Sequence, residues 1–262
     1  MALNGKTFIV TGTSRGLGAE TARLMQAQGA RVIGLDKNET TEHVDHYIPL
    51  DLADAASIDG AVAQLKAYVG EQVHGLCNIA GVAPTLPPPL VLQINFLGTR
   101  YLTEAVEPLI ADGGSIVHIA SGTALGWPRN IDKYKALAEL SLDDDIGAFC
   151  EEYEIDKANS YPFSKEAIIA WTTQRWKKWE ERQIRMNAVS PGPIETPLLP
   201  DFLSDMTPPD APMFEMSRNA TPDEVADVVL FLCDEGSRWI HAANIPVDGG
   251  LSAIVQKRIH QF

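Results

Sequence analysis

The feature that most constrains the fold is a glycine-rich loop between a predicted strand and a predicted helix near the start of the chain. The run KTFIVTG, residues 6–12, is an unbroken apolar segment ending in glycine, which predicts a buried parallel strand. Apolar residues follow at helical spacing from Leu17. In the intervening TGTSRGLG, Gly12 permits a tight turn, Gly16 lets backbone approach a pyrophosphate, and Gly18 lets the helix pack close to the sheet. The loop therefore predicts a dinucleotide site at a helix N-terminus.

Strands and helices alternate along the rest of the chain, which predicts a parallel sheet joined by helical crossovers. One of the later helices begins with a capping box, with Thr221 at the N-cap and Glu224 three residues on. Since composition shows no break, we expect residues 1–262 to form a single α/β domain, a doubly wound parallel sheet with helices on both faces. The predicted strands are 6–12, 31–36, 46–52, 73–81, 114–121, 184–192 and 243–250, and the predicted helices are 17–28, 55–69, 92–110, 161–182 and 221–233.

The charge balance favours small-molecule chemistry. The formal net charge is −14 and the isoelectric point is about 4.8. Such a chain repels nucleic acid and anionic membrane surfaces, so neither is an expected partner. The alternative is that the acid excess only keeps the protein in solution.

Cysteine and histidine spacing gives no sign of a metal site or a disulfide framework. The three cysteines are far apart and form no C-x-x-C pair, and the six histidines lack metal-ligand spacing. The start MALNGKTFIVTG has no signal-peptide h-region, and no apolar run approaches the roughly 18 residues of a membrane span. We therefore expect a cytoplasmic protein without a metal.

Asp36 ends the second predicted strand, eighteen residues beyond Gly18. A carboxylate there can accept hydrogen bonds from the adenosine ribose hydroxyls and would repel a 2′-phosphate, which favours NAD over NADP. Arg15 and Lys37 are nearby cations that could hold such a phosphate, so NADP stays open as the second choice. Asp36 could also be only a solvated carboxylate at a strand end.

Seven short motifs occur in order along nearly the whole chain: the loop Thr11–Gly18, Asp51-Leu52, NIAG at 78–81, Asn95 in INFLG, Ser121, Tyr161-x-x-x-Lys165 and SPGPIETP at 190–197. Together they resemble the short-chain dehydrogenase/reductase family. The segments CNIAGV, MNAVSPGP and NIPVDGG, and the long segment before Tyr161, are most similar to the bacterial group of 3α-hydroxysteroid dehydrogenases and coniferyl-alcohol dehydrogenases within that family.

The resemblance implies a Rossmann-like fold and a set of site residues. Ser121, Tyr161 and Lys165 would be catalytic, and Asn95 would anchor a water that links Lys165 to solvent. Asn78 and Asn95 could instead be buried amides that tie neighbouring backbone together. The implied cofactor-binding residues are Gly12, Ser14, Arg15, Gly16, Leu17, Gly18, Asp36, Asp51, Leu52, Asn78, Ala80, Gly81, Tyr161, Lys165, Pro191, Ile194 and Thr196.

Two tyrosines follow Ser121, and helix geometry chooses between them. A phenol with a pKa near 10 is a poor base at neutral pH, so it needs a cation beside it. Residues four apart share a helix face: Tyr161 has Lys165 at that spacing, whereas Tyr134 has Ala138. We therefore predict that Tyr161 is catalytic and that Tyr134 packs the inserted segment.

Residues 122–160 form a long insertion between the catalytic serine and tyrosine. Between 132 and 157 there are nine acidic residues and three lysines, with apolar residues at helical spacing. This predicts two short amphipathic helices beside the active site, the second with Ser141 as its N-cap and Asp144 three residues on. We hypothesise that the insertion shapes one wall of the pocket and alters the family's usual tetramer contact.

Residues 194–217 correspond to the family's substrate lid. Leu198, Phe202 and several methionines make this segment apolar and adaptable, which favours a bulky apolar alcohol or ketone of steroid, aryl or terpenoid type. Ser121, Tyr161, Leu198 and Phe202 are the candidate substrate residues. Alternatively, the apolar side chains pack inward as core.

The sequence predicts an NAD(H)-dependent alcohol dehydrogenase or ketone reductase, a homodimer or homotetramer. One alternative is a same-fold reductase of a polar substrate, such as a sugar or acyl-linked ketone. Enoyl reductases of related fold place lysine six residues after tyrosine, but residue 167 here is alanine. The other alternative is a non-catalytic NAD-binding regulator, which predicts a broken Ser-Tyr-Lys set, whereas this set is intact.

Overall fold

The computed structural model describes residues 3–70, 72–177, 181–202 and 211–261. Its centre is one parallel sheet of seven strands, in the order β3-β2-β1-β4-β5-β6-β7. The strands are β1 (Thr7–Thr11), β2 (Arg31–Asp36), β3 (His46–Pro49), β4 (Val73–Asn78), β5 (Ile110–Ile119), β6 (Arg185–Pro191) and β7 (Asn244–Val247). The chain moves outward from β1 in one direction and from β4 in the other. The carboxyl ends of these two neighbours therefore leave a crevice suited to a ligand.

Helices cover both faces of the sheet. They are α1 (Gly16–Ala27), α2 (Ala55–Val69), α3 (Pro88–Leu92), α4 (Thr99–Val106), α5 (Ile131–Ala138), α6 (Ile146–Glu152), α7 (Ser160–Gln174), α8 (Leu199–Phe202), α9 (Pro222–Cys233) and α10 (Leu251–His260). Strand side chains alternate between two apolar cores. Phe8 and Val10 pack with α1 and α9, and Ile9 packs with α2, α4 and α7. No helix among the described residues is long and apolar enough to cross a membrane.

The predicted seven-stranded, doubly wound sheet is confirmed, and several helix bounds are corrected. The predicted helix 92–110 is a series of pieces: α3, a π-helical turn over Gln93–Gly98, α4 and a 3-10 turn over Glu107–Leu109. Within the predicted helix 161–182, α7 ends at Gln174, and a turn at Arg175 separates it from the helical residues 176–177. Beyond it, Gln183 adopts a left-handed φ of 54° and turns the chain into β6. Helix α10 was not predicted from the sequence.

The insertion folds as a 3-10 segment over Gly122–Asn130 followed by α5 and α6, so the two predicted helices are present. The second is capped by Asp145, whose side chain accepts from the Ala148 amide at 3.0 Å, and not by Ser141. Ser141 instead donates its hydroxyl to Asp144 in the preceding turn. The cap is Asp145 because its oxygen is the one placed over the free amides of the first helical turn.

The insertion is bound tightly to α4 and α7. The Tyr134 hydroxyl donates to Gln174, and its ring packs edge-on against Phe96 at 6.0 Å. The Arg100 guanidinium on α4 donates to the Ala138 and Leu140 carbonyls that end α5. Tyr134 is 3% exposed, so its predicted structural role agrees with its position.

Candidate active site

A deep cleft lies at the carboxyl ends of the strands, at the point where the strand order reverses between β1 and β4. Its volume is about 1080 Å³. Typical pockets for one small ligand measure ~300–1,000 Å³, so this cleft has room for a cofactor and a second molecule side by side. It extends from the glycine loop, past the ends of β1, β4 and β5, to the segment that follows β6.

The glycine loop lines one end of the cleft, and its glycines are required by close contacts. Gly12 has a φ of +78°, and a Cβ there would lie 3.0 Å from the backbone of Ala80. A Cβ on Gly18 would lie 2.1 Å from the Gly12 carbonyl oxygen. Arg15 occupies the N-cap of α1 without a side-chain cap, and Ser14, Gly16 and Leu17 also line the cleft. This bare backbone at a helix N-terminus fits a diphosphate.

Asp36, which the sequence predicts to bind the adenosine ribose, lines the cleft at the end of β2. Its carboxylate accepts from the Ser14 amide at 2.9 Å and from the Asn38 amide at 2.8 Å, which fixes its position. Lys37 donates to Asp51 at 2.7 Å. Burial raises the pKa of Asp51, but the bonds from Lys37 and from the Ala53 amide outweigh it, so this pKa lies below its ordinary value. Lys37 is thus paired with a carboxylate next to Asp36, and Leu52 lines the same part of the cleft.

The loop after β4 lines the middle of the cleft. The Thr11 hydroxyl accepts from the amides of Ile79 and Ala80, both at 2.9 Å, and so ties this loop to the end of β1. Of the three residues predicted here to bind the cofactor, Ala80 and Gly81 line the cleft and Asn78 does not. Its amide donates to the Thr103 hydroxyl at 2.9 Å and contacts His118 Nδ1 at 3.1 Å, and the side chain is 4% exposed. Ile79 lines the cleft instead.

Ser121, Tyr161 and Lys165 come together at the floor of the cleft. Ser121 follows the end of β5, while Tyr161 and Lys165 lie one turn apart at the start of α7. The Ser121 hydroxyl oxygen accepts from the Thr123 amide at 3.2 Å and from the Thr123 hydroxyl at 3.0 Å. Lys165 donates to the Ile119 carbonyl at 2.8 Å, and its Nζ is 5.7 Å from the centre of the Tyr161 ring.

Burial dominates the electrostatics of this group. It raises the pKa of Tyr161 to about 12, against a hydrogen bond with Ser121 that lowers it. It also lowers the pKa of Lys165 to about 8. Both shifts favour the neutral form, because desolvation penalises charge. The expectation that Lys165 lowers the phenol pKa is therefore not met by the protein alone.

Asn95 sits in the π-helical turn between α3 and α4 and is 1% exposed. Its side chain accepts from the Val82 amide at 2.8 Å and donates to the Val82 carbonyl at 3.0 Å. It also donates to the Ser164 hydroxyl at 3.2 Å. Asn95 thus ties the loop after β4 to α7 from behind the cleft. This matches the buried-amide alternative, and its role in a water relay stays a prediction.

The segment after β6 forms the outer wall. The cleft is lined by the predicted cofactor and substrate residues of this segment, which are Pro191, Ile194, Thr196, Leu198 and Phe202. The Phe202 ring meets the Tyr161 ring edge-on, with centres 4.8 Å apart. This wall therefore lies beside Tyr161 in the cleft, and its side chains are not packed into the apolar core. Residues 203–210 of the predicted lid lie outside the described part of the chain.

Comparisons with known proteins agree with this geometry. Residues 6–136 match the family described as short chain dehydrogenase, and residues 146–252 match one described as Enoyl-(Acyl carrier protein) reductase. Coniferyl-alcohol dehydrogenase from Pseudomonas sp. (strain HR199 / DSM 7063) is 41% identical over 97% of this chain and 99% of that protein. The chain belongs to the short-chain dehydrogenase family.

Two further relatives come from the same family. The 3-alpha-hydroxysteroid dehydrogenase/carbonyl reductase of Comamonas testosteroni is 27% identical over 95% of this chain and 97% of its own length. The crystal structure of the 3-alpha-hydroxysteroid dehydrogenase from Pseudomonas sp. B-0831, complexed with NADH, aligns with a TM-score of 0.82 at 26% identity. That alignment covers 97% of this chain and 99% of the other. This short-chain dehydrogenase is thus an oxidoreductase, and its family binds a nicotinamide cofactor.

Sequence reasoning missed part of the cleft of this short-chain dehydrogenase. Leu251 and Val255 of α10 line it, as do Leu86, Leu90, Ile94 and Leu125. Leu251 and Val255 are four residues apart, and that helical spacing after a Gly-Gly pair was the available signal. The insertion contributes wall residues only near its two ends, namely Gly122, Thr123, Leu125 and Ala158. Its helices α5 and α6, both fully described, lie behind the wall.

Proposed function

We propose that this protein is an NAD(H)-dependent oxidoreductase that interconverts a bulky apolar secondary, aryl or allylic alcohol and its carbonyl compound. The observation that supports this most is the intact Ser121, Tyr161 and Lys165 group at the floor of an apolar cleft, beside the glycine loop. A non-catalytic NAD-binding regulator would not need this group.

The residues present fit a nicotinamide dinucleotide along the cleft. The loop Gly12–Gly18 would hold the diphosphate, Asp36, Asp51 and Leu52 the adenosine, and Lys165 the nicotinamide ribose. Pro191, Ile194 and Thr196 would hold the carboxamide end. When bound, the cofactor supplies the hydride acceptor or donor.

The chain's own contribution is to hold the substrate oxygen and to move its proton. The Tyr161 phenol would donate its proton to the carbonyl oxygen in reduction, and the Tyr161 phenolate would accept the alcohol proton in oxidation. The Ser121 hydroxyl would hydrogen-bond the same oxygen and stabilise the charge that develops there. Burial leaves Tyr161 protonated at neutral pH, with a pKa of about 12. Oxidation therefore requires positive charge near the phenol beyond what the protein alone provides, which the oxidised cofactor bound beside Lys165 would supply.

Asp36 supports a preference for NAD over NADP. Its carboxylate is fixed by two backbone amides, and the neighbouring Lys37 is paired with Asp51. A 2′-phosphate would meet that fixed negative charge. The relative crystallised with NADH is consistent with this preference. Steady-state rates with NADH and NADPH test it: a lower KM for NADPH would contradict the assignment to Asp36.

The apolar outer wall supports a large, apolar substrate. Leu90, Ile94, Leu198, Phe202 and Met213 line that part of the cleft. The relatives named for coniferyl alcohol and for 3-alpha-hydroxysteroids suggest aryl-allylic alcohols and ring alcohols as the first compounds to try. A sugar would leave its hydroxyls facing apolar side chains without partners.

The test is turnover, followed by NADH fluorescence, across steroid, aryl and aliphatic alcohols and ketones, with sugars and acyl-linked ketones as polar controls. We expect turnover of the bulky apolar compounds. Preferred turnover of a polar control would favour the polar-substrate reductase. Tight NADH binding with no turnover of any compound would favour the regulator.

We further propose a cytoplasmic homodimer or homotetramer in which the insertion changes the subunit contacts. The insertion covers part of α4 and α7 through Arg100, Tyr134 and Gln174, so those surfaces are not free for a second subunit. Light scattering after gel filtration measures the mass, and a monomer at micromolar concentration would contradict the proposal.

A further inference from the structure

The C-terminal helix α10 contributes to the lining of the cleft, although its sequence lies far from Ser121, Tyr161 and Lys165. Leu251 and Val255 lie one helical turn apart and both line the cleft. A Cβ built on Gly122, the residue after Ser121, would lie 3.6 Å from Leu251 Cδ2. The first turn of α10 is therefore next to the catalytic serine.

The same helix is joined to the segment that follows β6. Arg258 donates from Nε to Glu215 Oε1 at 2.8 Å, and from a second guanidinium nitrogen to the same oxygen at 2.5 Å. Met216 Cε lies 2.9 Å from the position of a Cβ on Gly249, just before the helix. Residues 211–213 of this segment also line the cleft. The helix and the segment thus meet over the substrate end from two sides.

From these contacts we propose that Leu251 and Val255 set the size of substrate that this enzyme accepts, and that the Arg258–Glu215 pair holds α10 against the segment after β6. This proposal deepens the proposed function and rests on it, since the proposed function identifies the molecule beside the cofactor as an alcohol or ketone substrate. Since both residues present branched apolar side chains, they would contact the ring system of a substrate and not its reacting oxygen.

The test is to add bulk on one face of α10 and not on the other. Val255→Trp fills the substrate end, whereas Ala253→Trp places the same side chain on an exposed position of the same helix. We expect Val255→Trp to lower kcat/KM for a four-ring steroid alcohol at least tenfold and that for a single-ring aryl alcohol less than threefold. Ala253→Trp should change kcat/KM for either substrate by no more than twofold. Equal selectivity in the two variants would overturn the proposal.

A binding measurement separates this proposal from the proposed function. The probe 8-anilinonaphthalene-1-sulfonate is titrated into the NADH complex of each variant. We expect at least fivefold weaker probe binding in Val255→Trp and a change below twofold in Ala253→Trp. If the wild-type protein turns over no substrate but the probe distinguishes the variants, the proposed function fails, whereas the proposal that Leu251 and Val255 limit the size of a bound molecule is supported. Equal probe affinity in both variants would contradict the wall.

The ion pair has its own matched control. Arg258→Gln and Lys257→Gln remove the same charge from neighbouring exposed positions of α10. We expect Arg258→Gln to raise KM for the four-ring substrate two- to fivefold with kcat little changed, and Lys257→Gln to leave it within 1.5-fold. Leu251→Ala, which removes bulk without adding strain, should widen the accepted range if Val255→Trp does not fold. Unchanged selectivity in Leu251→Ala would overturn the role of Leu251 in setting substrate size. Unchanged KM in Arg258→Gln would overturn the role of the Arg258–Glu215 pair.

Discussion

Two tyrosines in this chain have phenol pKa values raised to about 12, and only one of them lies in the cleft. For Tyr134 the cause is burial, partly opposed by Arg100 and Arg175. For Tyr161 it is burial, opposed by the hydrogen bond with Ser121. The pKa alone therefore does not identify the catalyst. Position supports the role proposed for Tyr161, because this residue lines the cleft with Ser121 and Lys165, whereas Tyr134 contacts Phe96 and Gln174.

Replacing each tyrosine by phenylalanine should separate their roles. We expect Tyr161→Phe to lower kcat at least ~10²-fold, because the proton donor is lost. Tyr134→Phe should keep kcat within about threefold and cost about 1 kcal/mol of stability through the lost hydrogen bond to Gln174. Steady-state kinetics and urea unfolding measure the two effects. Activity that survives in Tyr161→Phe and disappears in Tyr134→Phe would reverse the assignment.

Lys165 is a buried cation whose presence is costly to the fold. Burial lowers its pKa from 10.5 to about 8, so the charged form is destabilised in the folded protein. At pH 7 lysine is protonated both folded and unfolded, so the whole cost is present, and it fades as pH rises from about 8 to about 10.5. Lys165→Met should therefore abolish turnover yet raise the unfolding free energy at pH 7 by about 1–2 kcal/mol, net of the lost bond to the Ile119 carbonyl.

Urea unfolding of Lys165→Met and wild type at several pH values between 7 and 9.5 measures this effect. The stability difference should shrink toward the alkaline end. A variant that is less stable than wild type at pH 7 would show that the lysine's contacts outweigh its desolvation.

At the residue scale, the direction in which a side chain points could not be predicted from the sequence. The motif NIAG predicts that Asn78 binds the cofactor, but the residue ends β4 with its side chain turned toward Thr103 and His118. That orientation depends on α4 and β5, which are distant in sequence. By contrast, Tyr161 and Lys165 were predictable, because their relation is set within one helical turn.

At the level of elements, the strand–loop–helix unit was the most predictable part, because its glycines are required by close contacts with backbone that is near in sequence. Gly18 lies in the first turn of α1, where a Cβ would come 2.1 Å from the Gly12 carbonyl oxygen. Gly60 lies within α2, where a Cβ would meet nothing within 4 Å. The same substitution should thus have opposite effects in the two helices.

Gly60→Ala should raise stability by about 0.5–1 kcal/mol, because alanine loses less backbone entropy on folding. Gly18→Ala should destabilise the protein and weaken NADH binding at least tenfold, because backbone must move at the diphosphate site. Thermal unfolding and NADH fluorescence titration measure both variants. Unchanged NADH affinity in Gly18→Ala would contradict the placement of the diphosphate on this loop.

Element boundaries were less predictable where tertiary contacts decide them. Apolar periodicity runs without a break through residues 92–110, yet the chain makes a π-helical turn there that points Asn95 at Val82. Helical periodicity reports which face is buried and does not report an extra residue in a turn. The missed helix α10 follows Gly249 and Gly250, whose positive φ values end β7 and begin a new direction.

At the scale of the whole molecule, the insertion shares a core with the sheet. Leu137, Ile146 and Phe149 belong to the same apolar cluster as Ile9 of β1 and Phe163 of α7. Phe149 stacks on Phe163 at 6.3 Å and on Tyr153 at 4.6 Å. Deleting residues 130–156 would therefore expose the core. Point substitutions are the cleaner way to ask what the insertion does.

The shared core predicts that the chain, insertion included, unfolds as one domain. Phe149→Ala should lower the unfolding free energy by about 3–5 kcal/mol through the cavity it leaves. Because the insertion and the sheet share that core, amides in β5 should lose hydrogen-exchange protection by the same free energy as amides in α5. Phe149→Leu, which keeps most of the volume, should cost no more than about 1.5 kcal/mol. If exchange rises in α5 and α6 while β5 keeps its wild-type protection, the insertion is a separate folding unit, and the single domain expected from the sequence would be wrong.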